Sequence, residues 1–155
     1  MQPSIKVIIP AFNEQDSIGL VLSDIPEQVQ EIIVVSNGST DETETVAKKH
    51  GATVLVEDRK GYGYACLKGL EYLSKSEPPE IIVFLDGDYS DYPEQLNDIV
   101  KPILNNNVDM VIGARVKRFR ESGSMTIPQV FGNWLATSLM KLFFGAKFTD
   151  LGPFR

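Results

Sequence analysis

Two aspartates separated by a glycine, Asp86-Gly87-Asp88, directly follow the apolar run Ile81–Leu85. An apolar run of this length predicts a buried strand of a parallel sheet, and ligands of such sheets collect at the carboxyl ends of the strands. Two carboxylates so close together repel each other unless a positive charge lies between them. A hard divalent cation meets this need, because it prefers carboxylate oxygens and carries phosphate on its other side. A turn rich in Asp and Gly has the same composition, so the neighbouring segments must decide between a metal site and a turn.

The segment Pro10-Ala11-Phe12-Asn13-Glu14 follows the first predicted strand, Ile5–Ile9. We expect the proline to release the chain from the sheet, so that backbone carbonyls and Phe12 face the crevice above it. A strand terminator followed by a helix cap at Asn13 explains the same residues.

The segment Ser36–Asp41 follows the second predicted strand, Glu31–Val35. Gly38 permits a tight turn there. Ser39 and Glu42 have the spacing of a capping box for a helix that ends near His50. The start of that helix offers free amides to an anion or a polar base, but an ordinary capped loop has the same residues.

The segment Arg59–Ala65 follows a third predicted strand, Thr53–Val56. Two cations, two glycines and a helix start suggest a phosphate cradle that includes Lys60 and Gly61. The segment matches neither the Walker pattern nor the dinucleotide fingerprint. A generic flexible loop is the alternative.

Strands and helices alternate along most of the chain, which predicts an α/β fold with a mostly parallel sheet flanked by helices. The remaining predicted elements are a helix over 62–73, a helix from Pro93 to Leu104 and a strand over Val108–Gly113. Because loops after parallel strands converge on one edge of a sheet, we expect a single crevice with a polar floor, a cationic flank and a carboxylate pair.

Composition excludes several classes of function. The net charge of −6 argues against general nucleic-acid binding. Cys66 and His50 are the only residues of their types, which excludes an intrachain disulfide, a cysteine zinc cluster and histidine-based triads. No stretch approaches the roughly 20 apolar residues of a membrane span, and no signal peptide is recognisable, so we expect a cytoplasmic protein. With 155 residues the chain is long enough for one domain and too short for two, so we expect a single domain over 1–155. Because the chain stops soon after an apolar helix, we expect this domain to be truncated at its C-terminus.

In order along the chain, these segments resemble the motifs of family 2 glycosyltransferases, which have the Rossmann-like glycosyltransferase-A fold. The matching segments are Val7–Glu14, Val34–Asp41, Gly61–Ala65, Phe84–Asp88 and Gly113-Ala114-Arg115. Two further segments, Tyr89–Glu94 and Thr149–Arg155, resemble the bacterial branch of polyprenyl- and dolichyl-phosphate sugar synthases.

The resemblance implies a hexosyltransferase that moves a sugar, with inversion, from a nucleotide diphosphate donor to an acceptor such as a polyprenyl phosphate. It implies that Pro10, Phe12 and Glu14 line the nucleoside pocket and that Asn37 contacts the base. Asp86, next to Gly87, would bind the ribose or a metal-bound water. Asp88 would ligate Mg²⁺ or Mn²⁺ at the diphosphate.

The resemblance also implies roles for two residues near the end of the chain. Asp150 occupies the position of a candidate base for the acceptor. Arg115 would lie near a donor or acceptor phosphate, since a guanidinium can hold phosphate at two points. A phosphate acceptor is mostly ionised already and needs a base less, so capping or pairing with an arginine is the alternative role of Asp150.

One departure from the family pattern leaves the nucleotide open between UDP and GDP. Many members have two aspartates before the glycine, where this chain has Ser36-Asn37. The Asn carbonyl can accept a hydrogen bond from a base imide, but the side chain is neutral.

A basic loop and an apolar helix end the chain. The loop over 115–126, which we expect to be mobile, contains Arg115, Lys117, Arg118 and Arg120, and the helix covers 127–144. Together they could contact an anionic membrane and a lipid phosphate. A solvated loop followed by a core helix is the alternative.

Three other functions compete with sugar transfer. A sugar nucleotidyltransferase would have a glycine-rich, arginine-containing loop after strand one, which this chain lacks. A phosphatase would have its aspartate pair after the first strand rather than the fourth. A nucleotide-sugar-binding domain without turnover would have the same residues as a transferase.

Overall fold

The computed structural model describes residues 3–75, 77–106, 108–113 and 127–145. The chain divides into two compact units, Met1–Val111 and Ile112–Arg155. The expectation of one catalytic domain over 1–155 stays a prediction.

The first unit is built on a four-stranded parallel sheet with the strand order β3-β2-β1-β4. Its strands are β1 (Ile5–Ala11), β2 (Glu31–Ser36), β3 (Thr53–Val56) and β4 (Ile81–Phe84). Its helices are α1 (Ile18–Asp24), α2 (Thr43–Lys49), α3 (Tyr62–Ser74) and α4 (Leu96–Asn106), the last preceded by a 3₁₀ turn at Pro93–Gln95. This alternation confirms the predicted α/β fold.

The central strand β1 organises the core because its residues are apolar on both faces. Val7, Ile8 and Ile9 are fully buried. In the register of the sheet, Ile8 lies beside Ile33 of β2 and Phe84 of β4. Helix α3 covers one face with Ala65 and Leu73, which join the buried cluster around Ile8.

The strand order creates a topological switch point beside β1. From β1 the chain winds outward to β2 and β3, and then returns to place β4 on the other side of β1. The segments that follow β1 and β4 therefore leave the carboxyl ends of neighbouring strands at the point where the strand order reverses. This is where open α/β sheets bind ligands.

Two predictions about strands are wrong. Residues 108–113 form no strand, because no described residue pairs with them, and Val108 and Met110 are exposed. Pro10 does not end β1, which continues through Ala11. The Ala11 carbonyl accepts a hydrogen bond from the Asn37 N–H on the β2 side. Because the backbone polar groups of successive strand residues point to opposite sides, the backbone nitrogen of Pro10 points toward β4. There the pairing with β4 has already ended at Ile8–Phe84, and the proline costs no ladder hydrogen bond.

The second unit contains α5 (Ile127–Phe144), which has the bounds predicted for the apolar helix. The rings of Phe131 and Trp134 lie 5.9 Å apart on it. Gly145 ends the helix with a φ of 66° and donates from its N–H to the Lys141 carbonyl, as C-terminal glycines commonly do. None of the helices in the described part of the chain is long and apolar enough to cross a membrane.

Candidate functional site

An open pocket of about 250 Å³ lies at the switch point of the first unit. It is formed by the segments that follow β1, β2 and β4 and by the first turn of α3. Seven residues predicted for the site line it: Pro10, Phe12, Glu14, Asn37, Asp86, Gly87 and Asp88. The structure thus brings together residues from all four segments whose convergence the sequence predicted.

The β1–α1 loop is held to the β2–α2 loop by hydrogen bonds. The Asn13 N–H donates to Ser39 Oγ, and Asn13 Oδ1 accepts from the Thr40 N–H. The Glu14 N–H donates to Thr43 Oγ1 at 2.8 Å. Asn13 itself has a φ of 57°, a left-handed conformation that Asn tolerates better than most residues. These contacts fix the position of Glu14 at the pocket wall.

The predicted capping roles of Asn13 and Ser39 are wrong. Helix α1 begins after Ser17, and helix α2 begins at Thr43, after Glu42. Neither helix has a side-chain cap at its start. The side chains of Asn13 and Ser39 instead hydrogen-bond across the two loops, because this tertiary contact uses the same polar atoms that a cap would use.

The Asn37 side chain is buried and makes three hydrogen bonds to the β3–α3 loop. Its Nδ2 donates to the carbonyl oxygens of Glu57 at 2.9 Å and Arg59 at 2.8 Å. Its Oδ1 accepts from the Gly61 N–H at 2.7 Å. Asn37 therefore lines the pocket while its amide contacts the loop beside it.

Glu57 and Arg59 form an ion pair in the same loop. The guanidinium donates from Nε and Nη2 to the two carboxylate oxygens at 2.8 and 2.9 Å, and the Arg59 N–H adds a third bond. These bonds from Arg59 lower the pKa of Glu57 to about 2. The guanidinium also lies 4.7 Å from the centre of the Tyr64 ring, a cation–π distance.

This pairing changes the predicted phosphate cradle. Because Arg59 is already bonded to Glu57, one of the two cations predicted for the cradle is neutralised. Lys60 has no ion pair with any described residue, but neither Lys60 nor Gly61 lines the pocket. Contact of Lys60 and Gly61 with a phosphate stays a prediction.

The aspartate triplet forms a shaped turn after β4. Asp88 is exposed, and its Oδ1 accepts from the Ser90 N–H at 2.9 Å. Tyr89 has a φ of 60°, and its hydroxyl donates to Oδ2 of Asp24, the last residue of α1, which raises the pKa of Tyr89. Gly87 is buried at the pocket floor, where an added Cβ would lie 3.5 Å from the Pro10 carbonyl oxygen.

The carboxylates of Asp86 and Asp88 fit a divalent cation that shares its ligands with a phosphate. Both residues line the same pocket, and the Ser90 N–H orients the Asp88 carboxylate. Within the described residues, no group of three or more acidic, His or Cys side chains could hold an ion by itself. Mg²⁺ and Mn²⁺ suit such a site, because Mg²⁺ in particular is commonly held by one or two carboxylates together with substrate phosphates.

Three residues of the pocket lining belong to predicted segments but had no role assigned from the sequence: Ala11, Tyr62 and Ala65. Tyr62 is 45% exposed and Phe12 is 53% exposed, so two aromatic side chains line the pocket. The sequence contained a feature that could have identified Tyr62 as a site residue. It immediately follows Gly61 of the predicted phosphate cradle and begins α3. Arg115 and Asp150, and the basic loop over 115–126, lie outside the described residues, and their roles stay predictions.

A comparison with protein families matches residues 6–153 to the family "Glycosyl transferase family 2". An uncharacterized protein of Methanocaldococcus jannaschii is 33% identical over 146 residues, which is 93% of this chain and 60% of the relative. The low-salt glycan biosynthesis hexosyltransferase of Haloferax volcanii is 29% identical over 96% of this chain and 36% of its own length. The chain therefore spans less than two thirds of these relatives.

The fold is similar to that of a crystal structure of glucosyl-3-phosphoglycerate synthase from Mycobacterium tuberculosis. That structure is a complex with Mn²⁺, uridine diphosphate and glucosyl-3-phosphoglycerate. The TM-score is 0.57 at 32% identity, over 66% of this chain and 40% of the synthase. The predicted class of fold is thereby confirmed.

Proposed function

The chain belongs to glycosyl transferase family 2, and on that premise we propose that it transfers a sugar, with inversion, from a nucleoside diphosphate sugar to an acceptor. The observation that carries the proposal is the pocket at the switch point. It combines the carboxylates of Asp86 and Asp88 with two exposed aromatic side chains at the place where α/β sheets bind nucleotides.

The donor is a UDP- or GDP-sugar. A polar pocket with aromatic walls suits a nucleoside, because a flat base stacks on an aromatic ring. Phe12 and Tyr62 are the rings that line the pocket, and Asp86, which lines the same pocket, would meet the ribose. UDP has support from the synthase of similar fold, which was crystallised with that nucleotide.

Asp88, with Asp86 beside it, would hold Mg²⁺ or Mn²⁺, which offsets the negative charge that grows on the departing nucleoside diphosphate. Neighbouring backbone groups orient the residues that would hold the ion. The Ser90 N–H holds one oxygen of Asp88, and the buried Gly87 brings the turn against the Pro10 carbonyl. Mn²⁺ in the synthase of similar fold supports a divalent ion.

Inversion needs one attacking oxygen on the face of the sugar opposite to the leaving group. The acceptor oxygen forms a bond to the anomeric carbon while the bond to the diphosphate breaks, and the electron pair leaves with the nucleoside diphosphate. We propose Asp150 as the base that takes a proton from a hydroxyl acceptor. We propose Arg115 as the residue that grips a phosphate of the donor or acceptor.

We propose a phosphorylated acceptor, with polyprenyl phosphate as the first candidate. The support is the resemblance of Tyr89–Glu94 and Thr149–Arg155 to the polyprenyl-phosphate branch, together with the basic residues at 115–120. Those cations would favour an anionic lipid headgroup and peripheral contact with an anionic membrane at its cytoplasmic face. The synthase of similar fold was crystallised with the phosphorylated product glucosyl-3-phosphoglycerate, which supports a phosphate on the acceptor.

A two-stage screen tests the proposal. The first stage measures the melting temperature of the protein with UDP, GDP and their glucose and mannose derivatives, each with and without Mn²⁺. The second stage measures sugar transfer from any stabilising donor to a short polyprenyl phosphate or to 3-phosphoglycerate. We expect one nucleotide class to stabilise the protein more strongly with Mn²⁺ and to support transfer.

Each other outcome contradicts a part of the proposal. Stabilisation by no nucleotide under either metal condition would overturn the donor assignment. Stabilisation without transfer to any acceptor would favour a nucleotide-sugar-binding domain. Transfer to 3-phosphoglycerate and not to the lipid would replace the lipid acceptor by a small phosphorylated one.

A further inference from the structure

We infer that Asn37 is a positioning residue, which shapes the β3–α3 loop for the nucleotide, and that it is not the group that reads the base. The inference rests on the proposed function for its ligand, but its structural step concerns the protein alone. It departs from the role that the family resemblance implies for this position.

The hydrogen bonds of Asn37 carry the inference. The side chain is 9% exposed, and both N–H donors of its amide are used, by the carbonyls of Glu57 and Arg59. Its oxygen accepts from the Gly61 N–H. Two carbonyls and one N–H around the amide fix its orientation, so both donors are used, and the oxygen that would accept from a base imide already accepts from the loop.

These bonds determine where α3 begins. Gly61 precedes the helix with a φ of 136°, a conformation that residues with a side chain rarely adopt. Its carbonyl then accepts from the N–H groups of Tyr64 and Ala65, which closes the first turn. By holding Gly61, Asn37 sets the positions of Tyr62 and Ala65, both of which line the pocket.

The ion pair of the loop supports the same arrangement from the other side. Glu57 is 5% exposed, and its N–H donates to the Ser36 carbonyl at the end of β2. Its carboxylate binds Arg59, whose carbonyl receives one bond from Asn37. The loop is thus tied to β2 by its backbone and by Asn37.

An aspartate at position 37 would disrupt this arrangement. A carboxylate has no donors, so its oxygens would face the carbonyls of Glu57 and Arg59 without a hydrogen between them. A direct contact with a base imide would have the opposite requirement, because it needs only an acceptor oxygen, and a carboxylate is a stronger acceptor than an amide. The variant Asn37→Asp therefore separates the two roles.

The experiment compares Asn37→Asp and Asn37→Ala with the wild-type chain in two measurements. The first is amide hydrogen exchange of residues 57–65 in the ligand-free protein. The second is the Kd for UDP and for GDP with Mn²⁺, by calorimetry well below the melting temperature. We expect faster exchange over this segment in both variants and a loss of affinity of about tenfold or more in both.

Two further variants serve as controls. Glu31→Gln loosens a polar cluster at the opposite end of the sheet, where Glu31 accepts from Lys6, Thr53 and Tyr72, so it should lower stability and leave nucleotide affinity unchanged. Gly61→Ala strains the loop and keeps Asn37. Combined with Asn37→Ala it should add little further loss, since both act through one loop.

Several results would overturn the inference. Wild-type affinity in Asn37→Asp, or unchanged exchange over 57–65 with weakened binding, would assign Asn37 to the base. Additive losses of nucleotide affinity in the Asn37→Ala, Gly61→Ala double variant would also assign Asn37 to the base. If the wild-type chain bound neither nucleotide, the donor assignment would fail, and unchanged exchange in the variants would separately refute the loop-shaping step.

Discussion

The backbone N–H of Glu14, in the loop after β1, donates to the buried hydroxyl of Thr43, the first residue of α2, at 2.8 Å. Thr43 in turn donates to Asp41 Oδ1, and Asp41 Oδ2 accepts from the Gln15 N–H. Two loops that are 26 to 29 residues apart in sequence are therefore joined beside the pocket.

Replacing Thr43 by valine should lower both stability and nucleotide affinity. The valine keeps the shape but leaves the Glu14 N–H without its acceptor and removes one donor from Asp41. We expect a loss of about 1–3 kcal/mol in the free energy of unfolding, measured by urea denaturation. Thr43→Ser keeps the hydroxyl and is the matched control. Equal stability of the Val and Ser variants would show that the hydroxyl does not hold the loops.

Asp88→Asn should remove the effect of metal on donor binding. The amide can still accept from the Ser90 N–H but is a poor ligand for a hard cation, so Mn²⁺ should no longer raise the affinity for UDP or GDP. The fold should be unaffected, with a change within about 0.5 kcal/mol, because Asp88 is exposed. Asp98→Asn on α4 makes the same chemical change away from the pocket and should keep the metal effect. A metal effect that survives in Asp88→Asn would refute the ligand assignment.

The metal itself should bind weakly before the nucleotide arrives. The described residues at the pocket include Asp86, Asp88 and Glu14, but they contain no group of three or more acidic, His or Cys side chains that could hold a metal ion. A Mn²⁺ titration followed by electron paramagnetic resonance should therefore show tight binding only when UDP or GDP is present. Equally tight binding without nucleotide would mean that the chain supplies further ligands.

Local patterns predicted the strands of this fold well, and long-range contacts explain the failures. The apolar runs that became β1 to β4 needed only their own sequence to be recognised. The run at 108–113 is also mostly apolar, but a strand needs a partner as well, and pairing is decided elsewhere in the chain. The capping box predicted at Ser39 is not formed for a similar reason. The Ser39 hydroxyl accepts from the N–H of Asn13, which lies 26 residues away.

The sequence predicted which segments form the site, but it did not show which side chains bond to each other there. The aspartates and the segment after β1 could be placed because loops after parallel strands meet at one edge. The sequence showed Arg59 as a free cation for phosphate, whereas it bonds to Glu57 two residues before it. The contacts of Asn37 were equally hidden, since they join residues 20 to 24 positions apart.

The ion pair of Glu57 and Arg59 should make the loop sensitive to acid. The pKa of Glu57 lies at about 2 in the folded protein, lowered by its bonds from Arg59, against 4.5 for the free group. A lowered pKa stabilises the folded state above pH 4.5, and the stabilisation is lost as the pH falls from there toward about 2. Glu57→Gln should therefore be less stable than the wild type at pH 7, and the difference should shrink over this window.

Urea denaturation at pH 7, 4 and 2.5 measures that difference. Glu71→Gln on α3 is the control, because Glu71 is paired with Lys75 on an exposed helix face and should change stability little. A difference between Glu57→Gln and wild type that stayed constant down to pH 2.5 would mean that the loss comes from packing and not from the charge.

The close contact of α3 with β1 should not tolerate a side chain at Gly69. A Cβ there would lie 2.7 Å from Ile8 Cγ2 and 3.0 Å from Ile8 Cδ1, and Ile8 is fully buried in the centre of the sheet. Gly69→Ala must therefore shift α3 or Ile8, at a cost of about 1–3 kcal/mol in the free energy of unfolding. Gly63→Ala in the same helix is the matched control, since nothing lies within 4 Å of its added Cβ. There alanine should be neutral or stabilising by up to about 1 kcal/mol. Urea denaturation of both variants tests the contact, and equal stabilities would contradict it.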